Sequence, residues 1–151
     1  MIFRSLLVSL MFLFSAPLAW AGDIMISDIS APASLVPNAK AGALYFMVMN
    51  HGTEKDVLLS VSTQRATSTT LHQTEMQNDV AKMVELKAVE IPPGGMIMFE
   101  PGSKHAMLQG LDRALVEGEE FAVTFMFEKA GTVEAMATVG QAVAGHQHDK
   151  E

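Results

Sequence analysis

The chain has no cysteine among its 151 residues. Disulfide staples are therefore excluded, and so is a blue-copper electron-transfer centre, which requires a cysteine thiolate. The fold has to rely on its hydrophobic core. Basic residues are also few: 10 Lys plus Arg stand against 17 Asp plus Glu, a formal charge of −7. An acidic surface argues against nucleic acid or anionic lipid as partners and suits the attraction of cations. Long apolar runs are scarce as well. The run from Leu6 to Phe14, interrupted only by Ser9, is shorter than the ~20 residues that span a bilayer, and no stop-transfer charges follow it.

That run has another reading. Arg4 precedes it, and Ala19-Trp20-Ala21 supplies a small-x-small cleavage site, so residues 1–21 read as a secretory signal peptide. The expected mature chain starts at Gly22 and, having lost Arg4, carries a formal charge of −8 rather than −7. It has no further membrane span and no cysteine after the cut for lipid attachment. Its length fits one domain, residues 22–140, followed by a flexible tail, residues 141–151. The expected location is the periplasm.

Short alternating segments punctuated by turns fill the domain. Asp23–Ile29, Ala43–Met49, Val57–Ser62, Ala66–His72, Met83–Val89, Met96–Phe99, His105–Leu108, Phe121–Phe127 and Thr132–Val139 read as strands. Ala31–Lys40, with two prolines, reads as a loop, and Gln77-Asn78-Asp79 as a hairpin turn. These nine short segments and no convincing helical period indicate an all-β, antiparallel sandwich in a single domain.

What is abundant is methionine, with 12 residues. Met47, Met49, Met96, Met98, Met126 and Met136 lie in apolar strands and are assigned to the core or its edges, because Met packs adaptably. Two others do not fit that assignment. In His105-Ala106-Met107 the imidazole and the thioether share a strand face while Ala106 and Leu108 take the other. Met83 shares its face with Glu85 and Lys87. With His72, which follows Leu71, these residues make two imidazoles and two thioethers on the solvent side of their strands, a soft set suited to Cu(I). Thioethers have an advantage where disulfides form, since methionine cannot be captured in one, though it can oxidise to the sulfoxide. In the tail, His146 and His148 form an HxH pair that, with Asp149, could take Cu(II) as an accessory site; the alternative is an end without function. His51, beside Gly52, reads as a turn residue.

The spacing is His72, ten residues, Met83, twenty-one residues, His105, one residue, Met107. It resembles the signature of the periplasmic copper chaperones known as PCu(A)C. Ala41-Gly42-Ala43-Leu44-Tyr45 with Asn50, Ile91-Pro92-Pro93-Gly94-Gly95, His105-Ala106-Met107-Leu108 with Gly110-Leu111, and Phe127-Glu128-Lys129-Ala130-Gly131 resemble that family's recurrent stretches. The resemblance implies a cupredoxin-like or immunoglobulin-like β-sandwich that binds Cu(I) through His72, Met83, His105 and Met107. It also implies a copper-receiving partner, the copper subunit of cytochrome c oxidase with its binuclear site or another periplasmic copper carrier. Some members carry a methionine directly after the first histidine; Gln73 stands there in this chain, and Met76 is a candidate spare thioether. A carrier rather than an enzyme is expected, because thioethers are poor zinc ligands and only Glu85 stands near the set as a base. Copper tolerance or storage, and a secreted immunoglobulin-like module without metal, are the competing readings.

Overall fold

The computed structural model describes residues 22–140, so the expected signal peptide and the tail with His146 and His148 lie outside the described residues. The strands are β1 (Ile24–Pro32), β2 (Ala41–Asn50), β3 (Asp56–Ser62), β4 (Ala66–Gln77), β5 (Val80–Leu86), β6 (Val89–Ile91), β7 (Met96–Phe99), β8 (Lys104–Leu111), β9 (Glu120–Phe127) and β10 (Gly131–Gly140). No helix occurs among the described residues.

Alternation drives each strand to one side. In β2, Leu44, Phe46 and Val48 are buried, while Ala43, Tyr45, Met47 and Met49 alternate with them on the other face. In β8, Ala106 and Leu108 are fully buried. The strands follow the order β5-β4-β8-β7-β2-β1-β10-β9-β3-β6, with β8 also paired to β2. This ribbon folds over so that its inner faces meet. Phe46 of β2 stacks on Phe99 with ring centroids 4.1 Å apart and meets Phe125 of β9 edge-on at 4.9 Å. Burying each such side chain stabilises the fold by about 1.5–3 kcal/mol.

Three features differ from the sequence reading. The segment Met83–Val89 is divided, because β5 pairs with β4 whereas β6 crosses to β3. Ala31 and Pro32 belong to β1 rather than to a loop, paired in parallel with Val139 and Gly140 of β10. Proline is tolerated at that strand end. The sandwich is also not wholly antiparallel, since β1–β10 and β7–β8 are parallel. β1 turns from β2 to β10 through a register shift between Ser27 and Ser30, where Asp28 takes φ +52°. Such a bulge re-aims a strand.

Two polar anchors hold the corners. Asp56 is buried and its carboxylate accepts hydrogen bonds from the Val57, Lys129 and Ala130 N–H groups at 2.7, 2.8 and 2.8 Å, fixing the β9–β10 turn. Arg65, also buried, reaches Asp112 at 2.8 Å and Glu119 at 3.4 Å. These ties hold the sandwich at a distance from its open faces.

Of the expected assignment of six methionines to the core or its edges, the core half does not hold. The buried hydrophobic residues are Ile, Ala, Leu, Phe and Val, and none of the ten methionines among the described residues is buried. Met96, Met98, Met126 and Met136 are about half exposed, and Met47 and Met49 are only partly covered. In Ala43–Met49 every residue is apolar, so the pattern carried no sign of which face turns inward; packing of Leu44, Phe46 and Val48 decided it.

Candidate metal centre

Three adjacent strands supply the candidate set. β4 and β5 form a hairpin whose two-residue turn, Asn78-Asp79, has φ of +50° and +63°. Asn and Asp tolerate that left-handed pair, which matches the twist of the flanking strands. The hairpin register sets His72 opposite Glu85 and Thr74 opposite Met83. On its other side β4 pairs with β8, so that His72 lies directly opposite His105 and Thr70 opposite Met107. His72, Met83, His105 and Met107 thus share one outer face, with Met83 and Met107 each one diagonal step from His72. Directly opposite side chains stand ~4.5–5.5 Å apart at Cβ, and diagonal neighbours remain within reach of long side chains.

The two imidazoles are nearly parallel, with centroids 5.7 Å apart and planes 15° from one another. His72 Nε2 lies 2.8 Å from the Thr70 hydroxyl. In the tautomer that donates Nε2–H to that oxygen, Nδ1 keeps its lone pair, and Nδ1 is buried without a hydrogen-bond partner. Leaving a buried acceptor unpaired costs about 1–3 kcal/mol, a cost that a bound cation removes.

His105 differs from the expectation that all four residues lie open to solvent. It points to the outer face but is only 8% exposed. Burial holds its pKa below the ordinary histidine value; a hydrogen bond with the Ser103 backbone opposes this, and the neighbouring His72 lowers it further. An imidazole kept neutral retains the lone pair that a metal needs. Met83, on the edge strand β5, is 60% exposed. The site therefore has a covered end at His105 and an open one at Met83.

Met83, His105 and Met107 line a cleft of about 490 Å³ whose walls include Gly42, Ala43, Tyr45 and Thr74. The Gln109 amide stands 3.8 Å from the Met107 sulfur. Met76 lies on the same face as His72, opposite Ala81 and one step beyond Met83 toward the turn. Tyr45 and Thr70 were not singled out by the sequence, because a strand pattern does not reveal cross-strand neighbours. No three His, Cys, Asp or Glu side chains cluster as a metal site among the described residues. What the face assembles is two imidazoles and two thioethers, a donor set for a soft monovalent ion.

Fold and site together define a β-sandwich with a surface nitrogen and sulfur donor set. A family model described as "Putative lipoprotein LpqE-like" matches residues 24–139, and the chain belongs to this LpqE-like family. Protein Lxx21020 of Leifsonia xyli subsp. xyli is 33% identical over 86 residues, 56% of this chain and 52% of that protein. Protein RP573 of Rickettsia prowazekii is 32% identical over 87 residues, 57% of this chain and 48% of that protein. The matches thus span about half the length of these two relatives. Among solved structures, the copper-bound PCuAC domain from PmoF2 superposes with a TM-score of 0.68 at 26% identity, covering 80% of this chain and 94% of that one. The Cu(I) form of DR1885 from Deinococcus radiodurans gives a TM-score of 0.59 at 28% identity, over 85% of this chain and 87% of that one. The all-β, cupredoxin-like fold and the PCu(A)C resemblance expected from the sequence are both found.

Proposed function

We propose that this chain is an extracytoplasmic copper carrier that holds Cu(I) through His72, Met83, His105 and Met107 and passes it to a partner protein. The observation that carries the reading is the register of β5, β4 and β8, which brings both imidazoles and both thioethers to one outer face. The copper-bound PmoF2 domain and Cu(I)-DR1885 add support, being similar domains that hold copper.

The geometry suits a carrier rather than an enzyme. Cu(I) tolerates low coordination numbers and exchanges soft ligands readily. His105, covered and kept neutral, anchors the ion. Met83, exposed on an edge strand, is the ligand that an incoming donor from a partner displaces first. Each exchange replaces one protein ligand at a time, so the ion never becomes free. The periplasm is the compartment of action, with residues 1–21 as the export signal. The recipient is the binuclear copper site of cytochrome c oxidase, and His146 and His148 form an accessory Cu(II) site.

The test is anaerobic competition with a chromophoric Cu(I) chelator, with and without residues 141–151. One tight Cu(I) retained after truncation supports the reading. A Met83→Ala, Met107→Ala double variant with undiminished Cu(I) affinity would overturn it.

A further inference from the structure

A second group of thioethers lies on the outer face of β1, β2 and β7. The pairing of β1 with β2 sets Met25 directly opposite Met49, and that of β2 with β7 sets Met49 opposite Met96. Three methionines thus stand in one row across three adjacent strands. The next row on the same face pairs Met47 with Met98. Met25, Met96 and Met98 are 46%, 50% and 47% exposed.

Core filling does not explain this group. Methionine fills irregular gaps because it is flexible, but a gap filler is buried, and these side chains are not. The distribution is selective too: the core uses only Ile, Ala, Leu, Phe and Val, while five of the ten methionines among the described residues gather on this one face. Met126 and Met136 provide the contrast. They are equally exposed, but their cross-strand partners are Thr132 and Ser60 for one and Ala122 for the other.

We infer that Met25, Met49 and Met96 form a second binding site for a soft monovalent cation, Cu(I) or its redox-inert counterpart Ag(I). Directly opposite Cβ atoms are ~4.5–5.5 Å apart. Each sulfur lies two bonds beyond its Cβ, so the thioethers of Met25 and Met96 can lean over Met49 and close on one ion. Three neutral soft donors favour a soft monovalent ion over Zn²⁺, Mg²⁺ or Ca²⁺. Lacking an imidazole, the site binds more weakly than the His72 set. It also lies on the same strand, β2, that lines the first site: Tyr45 borders both the cleft at His105 and the apolar cavity of about 360 Å³ that Met47 and Met98 help to form. A weak thioether site beside a stronger one serves as a loading or overflow position for the same cargo.

Titration of the full chain, labelled with carbon-13 at the methionine methyl groups, with Ag(I) tests this residue by residue. The first equivalent is expected to move the Met83 and Met107 signals. Further equivalents then move Met25, Met49 and Met96 and leave Met126 and Met136 in place. A Met25→Leu, Met49→Leu, Met96→Leu variant keeps the first step and loses at least tenfold in affinity at the second; Met49→Leu alone, the mildest change, weakens it in the same direction. Unmoved Met25, Met49 and Met96 signals at excess Ag(I), or a second step unchanged in the triple variant, would overturn the assignment. A His105→Ala, Met107→Ala variant separates this from the first reading, because its second site is expected to persist.

Discussion

Strand β2 serves two open regions that differ in what they offer an ion. Its first half pairs with β8 and contributes Ala43 and Tyr45 to the cleft at His105 and Met107. Its second half pairs with β7 and carries Met47 and Met49. The first region mixes imidazole with thioether and covers one imidazole almost completely; the second is thioether alone and lies open. One strand, with the same inward row of Leu44, Phe46 and Val48, thus supports unlike outer chemistry. Pairing partners, not the strand itself, decide which donors meet.

The two regions share one support, and its removal has the largest expected effect. Phe46→Ala deletes the ring that stacks on Phe99 and meets Phe125, and is expected to destabilise the protein by about 3–5 kcal/mol in urea unfolding. Both regions should be lost in one transition. Two separate transitions would show them to be independent units.

A cut through one region sharpens the contrast. His105→Ala should lower Cu(I) affinity about 100-fold or more in chelator competition, with the methyl signals of Met25, Met49 and Met96 unaltered. Smaller still is the effect of Thr70→Val, which removes the hydroxyl 2.8 Å from His72 Nε2. Losing such an orienting bond is expected to weaken Cu(I) binding by about 10-fold. Equal affinity in that variant would mean that Thr70 does not set the imidazole.

On the thioether face, stability should scarcely notice the chemistry. Met49→Leu with Met96→Leu conserves volume and is expected to change the unfolding free energy by less than about 1.5 kcal/mol. A larger loss would point to a packing role instead.

The smallest effect lies away from both regions. Hydrogen bonds from Arg65 to Asp112, and from the Val116 N–H and Arg113 to Glu119, hold these carboxyls below their ordinary values. Their folded-state pKa values are thus lower than the unfolded ones. The stability they add is present in full above the ordinary carboxylate range, around pH 4, and is lost as pH falls through the folded values. Urea midpoints measured on acidification should fall less steeply in Asp112→Asn than in the parent.

Much of this was legible in the sequence. The phase of His105-Ala106-Met107-Leu108 is plain because one of its faces is apolar, and Ala106 and Leu108 are indeed buried. The Asn78-Asp79 turn was readable because few residues accept positive φ. Whether Met47 and Met49 belong to the core or to its edge was not legible, because their strand is apolar on both faces. The covered state of His105 was hidden because it depends on packing across the sheet.

Strand content and the candidate donor types with their order along the chain were readable from the residues, since these follow from alternation, turn chemistry and the absence of cysteine. Tertiary structure alone decided that His72 faces His105, that Met83 stands at the open edge, and that Met25, Met49 and Met96 share a row. Those are matters of register. A shift of one residue would turn each strand over, and only the packing of the core against it selects the side that remains outside.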